Sequence, residues 1–163
     1  MSLPDAERLL ADLAAQMRPH VTPETGLIGL HTGGAWLAER LHALLGVSVP
    51  LGTLDVSFHR DDYAQRGLAR DARASSIPFD VGGRPLILVD DVLHTGRTVR
   101  AALNELFDYG RPTRVELAVL IDRGGRQLPI APTYCAARLE LADNERVKLA
   151  TDDGVLSLRL VQE

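Results

Sequence analysis

Apolar residues in this chain fall into blocks whose spacing changes from helical to extended and back. Over residues 3–18, Leu3, Ala6, Leu10, Leu13 and Met17 recur at three- and four-residue intervals, which predicts an amphipathic helix, with Ser2 available as its N-cap. Pro19 and Pro23 close it. "GLIGL" (26–30) is a short unbroken apolar run, "HTGG" follows, and "AWLAERLHALLG" (35–46) resumes helical spacing with Gly46 as its stop. Strand, glycine turn and helix in that order open a βαβ unit. "VSVPLGTLDVSF" (47–58) is rich in β-branched residues and predicts a second strand.

Residues 59–80, "HRDDYAQRGLARDARASSIPFD", are strongly charged and carry no sustained apolar period. A segment of that length inside a compact domain is expected to be functional or disordered. "RPLILV" (84–89) then predicts a buried strand, "TVRAALNELFDYG" (98–110) a helix, and "RVELAVLID" (114–122) a further core strand. In the tail, Leu156, Leu158 and Leu160 alternate with Ser157 and Arg159, and Asp153-Gly154 supplies a hairpin turn. The sum predicts one α/β domain over residues 1–163, with a mainly parallel sheet and an irregular β appendage.

Composition adds boundaries. The chain has 163 residues, enough for one substantial core. Its net charge of -4 argues against binding a polyanion over the whole surface. Cys135 is the single cysteine, which excludes an internal disulfide. No apolar run reaches the roughly 18 residues of a membrane span, and "MSLPDAERLL" is unlike a signal peptide, so the expected location is the cytoplasm. His31, His42, His59 and His94 lie on separate elements without ligand spacing, so they predict no metal site of their own. Trp36 shares a helical stripe with Leu37 and Leu41, which predicts a core or subunit contact.

The richest stretch is "LILVDDVLHTGRT" (86–98). Ligands of open α/β sheets sit beyond the carboxyl ends of the strands, where Asp90 and Asp91 are expected. The turn after them enters a helix, so backbone N–H groups and the positive end of the helix dipole face the same space. Thr95, Gly96 and Thr98 suit a phosphate; the two carboxylates suit a polyol or a hydrated magnesium ion. One ligand carrying both a sugar and a phosphate satisfies both halves.

This string resembles the phosphoribosyl pyrophosphate (PRPP) signature of type I phosphoribosyltransferases. "LDVSFHRDD" (54–62), "LVDDVLHTGRTVRAAL" (88–103), "GRPTRVELAVLIDRGGRQLPI" (110–130) and "ERV" (145–147) resemble one branch, the PyrR family of bifunctional pyrimidine-operon regulators and uracil phosphoribosyltransferases. The resemblance implies the type I phosphoribosyltransferase fold, a mainly parallel sheet flanked by helices with a small irregular or β hood. It implies synthesis of UMP and pyrophosphate from uracil and PRPP, with magnesium bound through the substrate and through Asp90 and Asp91.

Residue by residue, it implies catalytic roles for Asp90, Asp91 and Arg60. PRPP or nucleotide contacts would come from Thr32, Gly33, Asp90, Asp91, Val92, Leu93, His94, Thr95, Gly96, Arg97 and Thr98. His31, Thr32, Gly33 and Gly34 would form the pyrophosphate loop, Arg60 and Asp61 the stem of a mobile loop, and Arg123 and Val147 the base pocket. Gly33 stands where the family usually has an arginine, which removes one charge-assisted bond.

The partners so implied are PRPP, uracil or UMP, further copies of the chain in a homodimer or homotetramer, and a pyrimidine-operon mRNA leader, which makes transcription regulation a second role. Against the RNA partner stand Ala11, Asp12 and Ala15 in the first helix, and Gly125 and Ala131 where a histidine and an arginine are usual. The alternative reading is an mRNA-binding regulator that senses UMP or UTP with weak or no catalysis.

Overall fold

The computed structural model describes residues 2–56 and 75–163. Helix α1 (Ala6–Met17) starts one turn later than its apolar spacing suggests. The cap is Asp5, whose carboxylate accepts the Glu7 N–H at 3.0 Å, so the expectation of Ser2 at this position is corrected. Strand β1 (Gly26–Leu30) is buried at every position, and α2 (Gly33–Leu45) follows directly, ending at Gly46.

Strand β2 (Gly52–Leu54) is much shorter than the predicted run 47–58. It pairs with β1 from Ile28↔Gly52 to Leu30↔Leu54, and β1 ends there, so no partner remains to extend the ladder. Upstream, Pro50 has no N–H to donate. Val47 and Val49 are buried without belonging to a strand.

Strand β3 (Pro85–Leu93) runs four residues past the predicted end at Val89. Its continuation is held by β4 (Arg114–Asp122), which pairs with it as far as Leu93↔Asp122. Helix α3 (Arg97–Leu106) begins at Arg97 and stops at the last residue with a buried side chain, short of the predicted 98–110. The chain then turns back through Tyr109 N–H to Leu106 O at 3.0 Å. Strand β5 (Tyr134–Arg138), not foreseen from the sequence, lies parallel to β4. Its burial is mostly partial, and short apolar runs of small residues carry little period.

The sheet order β2-β1-β3-β4-β5 is parallel throughout. Alternate residues serve two cores, as strand geometry requires. Ile87, Val89, Ala118 and Leu120 meet α1 and α2 on one face, while Leu86, Leu88, Leu117 and Val119 meet α3 on the other. Cover on both faces is what lets β3 and β4 read as continuous apolar runs.

The predicted hairpin is present as β6 (Glu145–Asp152) and β7 (Val155–Gln162), joined at Asp153-Gly154, whose φ values of 50° and 79° suit the tight turn. A polar staple fastens it to the body. Glu7 of α1 binds Arg40 of α2 at 2.7 and 3.0 Å and accepts the Leu156 N–H at 2.7 Å, while Arg40 also donates to Gly154 O.

Candidate active site

Strand order 2-1-3-4-5 reverses direction between β1 and β3, and a crevice opens at such a switch point. Here the cause is visible in the register. The last β1–β3 pair is Gly29↔Val89, after which β1 ends at Leu30 while β3 continues to Leu93. Asp90 and Asp91 therefore lie inside the strand, on the stretch that borders the notch, and not after its end.

Residues 31–34 form the opposite wall. His31 N–H is held by Leu54 O at 2.9 Å, the His31–Thr32 peptide is cis, and Gly33 opens α2. Both glycines are closely packed, Gly34 against backbone and Gly33 against a side chain. A Cβ on Gly34 would lie 2.5 Å from Val89 O, and one on Gly33 would overlap Asp91 Oδ2. The space that an arginine side chain at residue 33 would leave through is filled by the Asp91 carboxylate. Asp90 is buried and accepts the Asp91 N–H through Oδ1; Asp91 is half-buried and accepts the Val92 N–H through its own Oδ1, both at 2.9 Å.

Beyond β3 the chain enters α3 through Gly96, whose φ of 94° places the turn where only glycine is comfortable. A hollow of about 170 Å³ at this helix start is lined by Asp90, Val92, Leu93, His94, Thr95, Gly96, Thr98 and Val99. The first N–H groups of a helix lack partners within it and suit an anion, although the Arg97 N–H here donates to Thr95 Oγ1 at 3.2 Å. Arg97 does not line the hollow, and its Nε donates to Gln127 Oε1 at 2.8 Å.

The main cleft, about 590 Å³, joins these walls to the hairpin and is bordered by His31, Thr32, Gly33, Asp90, Asp91, Val92, His94, Thr98, Arg123 and Val147. The structure thus brings together the expected glycine turn, carboxylates, phosphate-type loop and both base-pocket residues. Gly34 underlies the wall without lining it. Arg60, Asp61 and His59 lie outside the described residues.

Trp36, Asp143, Arg146, Lys148, Leu149 and Glu163 also border the cleft, and sequence reading missed them. Trp36 both packs on the core and faces the cleft, so the core expectation is half of its role. Arg146 pairs with Glu163 at 2.6 Å, but both side chains are about half exposed (57% and 49%), so the pair is screened and weak. Arg123 reaches the hairpin, donating from Nη1 to Glu145 O at 3.0 Å, while its buried Nε has no partner among the described residues.

Below the cleft, Asp122 is nearly buried and bonds Arg126 at 2.7 Å. Burial alone would raise its pKa. The Arg126 hydrogen bond, the Gly124 N–H and the charges of Arg126 and Arg138 outweigh that and hold it below the ordinary value.

No cluster of three or more potential metal ligands occurs among the described residues. The donor set still fits magnesium, which is commonly held by one or two carboxylates with the remaining positions filled by water and ligand phosphate. Asp90 and Asp91 supply those carboxylates at the cleft wall. None of the helices in the described residues is long and apolar enough to cross a membrane.

A glycine turn and a carboxylate strand end meeting at the switch point, with an anion-ready helix start beside them, define a phosphoribosyltransferase. The model of the phosphoribosyl transferase domain matches residues 2–147. Among solved structures, a purine phosphoribosyltransferase from Pyrococcus horikoshii superposes with a TM-score of 0.64 at 26% identity, covering 85% of both chains. A hypoxanthine phosphoribosyltransferase from Staphylococcus aureus shares the fold, with a TM-score of 0.64 at 18% identity over 83% of this chain and 74% of that one. Similarity to curated proteins is much higher. The bifunctional protein PyrR of Pseudomonas entomophila is 53% identical over 153 residues, 91% of this chain and 89% of that protein, and PyrR of Pseudomonas fluorescens is 51% identical over 92% of each. The chain belongs to the PyrR family of phosphoribosyltransferases.

Proposed function

We propose that this enzyme transfers the 5-phosphoribosyl group of PRPP to uracil, forming UMP and releasing pyrophosphate. The observation that carries the reading is a carboxylate pair and a glycine turn bordering one cleft, with a helix start beside them.

In this reading the N–H groups and hydroxyls of residues 95–98 hold the 5-phosphate. Asp90 and Asp91 accept hydrogen bonds from the ribose hydroxyls, and their charge favours the cation-like ribose of the transition state. The backbone of residues 31–34 approaches the pyrophosphate. The base nitrogen bonds to ribose C1 as the C1–O bond breaks, the electron pair leaves on pyrophosphate, and the nitrogen gives up its proton. Magnesium, when bound, neutralises charge on the leaving group. Arg123 and Val147 border the space for the base, which needs few hydrogen bonds to be oriented. Arg60 and Asp61 enter the proposal from the family resemblance alone.

Purified protein with uracil, PRPP and magnesium should produce UMP and pyrophosphate in equal amounts. Free purine bases should not compete. No turnover together with no PRPP binding would end this reading.

The relatives' description as bifunctional supports a second, regulatory activity on pyrimidine gene expression through an mRNA leader. The exposed positions Ala11, Asp12 and Ala15 of α1 offer such an RNA no cation. A gel shift on a pyrimidine-operon leader, with and without UMP, decides it: a complex strengthened by UMP supports the regulatory role, and no shift removes it. The proposal includes a cytoplasmic enzyme assembled as a homodimer or homotetramer, and sedimentation equilibrium gives the subunit number.

A further inference from the structure

The segment 122–130, "DRGGRQLPI", makes far more contact with the phosphate-type loop than a base pocket requires. Its bonds fall on consecutive loop residues. Arg123 N–H donates to Leu93 O at 3.0 Å, and Arg126 Nη1 donates to His94 O at 2.7 Å. The His94 ring meets Gly124 O at 2.9 Å. Gln127 N–H and Leu128 N–H both donate to Thr95 O, at 2.9 and 3.2 Å. Gln127 Oε1 accepts from Arg97 Nε. Gly96 makes no such bond but is packed from the same side, since a Cβ there would lie 3.1 Å from Ile130.

We propose that Arg126 and Gln127 are positioning residues for the 5-phosphate, holding residues 93–97 from behind so that the loop's N–H groups face the ligand. The physical case concerns carbonyl direction. A peptide plane carries its N–H and C=O on opposite sides. Three successive carbonyls, of Leu93, His94 and Thr95, are drawn into the 122–130 segment, so their negative ends are kept away from an anion in the hollow. An untethered loop could turn a carbonyl toward the phosphate and repel it.

Arg126 is the strongest part of this bracket. Its guanidinium spans three points: Asp122 Oδ2 at 2.7 Å, His94 O at 2.7 Å and Ile130 O at 2.8 Å. Only a planar donor fork can serve all three at once, so lysine is not an equivalent. The bracket also explains why one segment serves both ends of the cleft. Arg123 reaches the hairpin at Glu145 O, while three residues later Arg126 reaches the phosphate loop.

This inference rests on the proposed reaction, and its test separates the two. KM for PRPP, KM for uracil and kcat are measured for the wild type, Arg126→Lys, Arg126→Gln and Gln127→Ala, and binding of ribose 5-phosphate is measured by calorimetry without any turnover. Arg126→Gln is expected to raise the PRPP KM and the ribose 5-phosphate Kd by about tenfold or more, with uracil KM at saturating PRPP changed less than about twofold. Arg126→Lys should recover part of the loss, because it keeps the bond to Asp122. Gln127→Ala, at an exposed position, should give a rise of about threefold in the same two constants. If Arg126→Gln does not fold, Gln127→Ala and Arg126→Lys carry the test.

Unchanged PRPP and ribose 5-phosphate constants in folded variants would overturn the bracket, as would equal rises in PRPP and uracil KM. A wild type that binds ribose 5-phosphate but makes no UMP, with binding weakened in the variants, leaves the bracket standing and removes the uracil reaction. A wild type that binds no ribose 5-phosphate overturns both.

Discussion

The two ends of the cleft are built in opposite ways. The end at the helix start, where we propose that the sugar phosphate binds, comes from one contiguous stretch, residues 90–98, bonded from behind by residues 122–130. The other end gathers Trp36 from α2, Arg123 from the loop after β4, and Arg146, Val147, Lys148 and Leu149 from the hairpin, with Glu163 beside them. At the first end a strand leads through a short turn into a helix, and the carbonyls of Leu93, His94 and Thr95 are bonded by the 122–130 segment. The second depends on how a two-stranded hairpin is fastened to the body, by Val147, Leu149 and Leu156 in the core and by the staple of Glu7, Arg40 and Leu156 on the far side. One end therefore rests on neighbours in sequence, the other on contacts between distant elements.

Substitutions can break or sharpen that contrast. The largest effect is expected for Asp91→Asn, which removes a half-buried carboxylate with little packing change. Turnover should fall about a hundredfold with the melting temperature nearly unchanged. Equal loss of activity and thermal stability would show that Asp91 is structural. Next comes Gly33→Ala. Its Cβ overlaps Asp91 Oδ2, so the carboxylate must move, and kcat should fall by a factor of about ten to a hundred without unfolding. A fully active alanine variant would break the link between the glycine turn and the carboxylate.

Thr98→Val follows, and removes a hydroxyl from the phosphate hollow. PRPP KM should rise about tenfold, the worth of one hydrogen bond to a charged group, while uracil KM stays put. Glu7→Ala should act at the opposite end, raising uracil KM a few-fold and lowering the melting temperature by a few degrees, since a partly exposed pair is screened. The Arg40 hydrogen bonds hold the Glu7 carboxyl below its ordinary value of 4.5. The staple's contribution is thus complete above pH 4.5 and lost as pH falls through the lowered pKa. A pH-stability profile should flatten on that acid side in Glu7→Ala.

The smallest effect is reserved for Tyr134, away from both ends. Burial first, and Glu116 second, push its phenol up to about 12. Burying the phenolate is disfavoured, so ionisation leaves stability untouched below pH 10 and lowers it as pH rises from 10 through about 12. Tyr134→Phe should leave activity and neutral-pH stability intact while reducing alkaline unfolding, read by circular dichroism.

What the chain discloses in advance follows the same division. Strand β4 is predicted at its observed limits because it is buried on both faces and bounded by charged residues. The hairpin turn is legible because Asp-Gly admits few other conformations. The length of β2 was not legible, since it is decided by where β1 ends, and β5 was not, since its small residues carry no period. Asp90 and Asp91 were expected beyond the carboxyl end of a strand closing at Val89, but pairing with β4 carries the strand past them. The resemblance brings in Arg97 as a ligand contact; that its Nε meets Gln127, thirty positions away, is not readable from the sequence.

The amino-acid sequence by itself determined the α/β class, the strand-to-helix loop at residues 90–98 and the family, because these depend on neighbours along the chain and on short-range backbone chemistry. Only the tertiary structure decided that Gly33 leaves room for Asp91, that the hairpin forms a wall of the cleft, and that Arg126 and Gln127 bond to the turn at residues 94–97. Those are meetings between residues far apart in the chain. They follow from strand register and packing, for which a linear string of residue types holds no local signal.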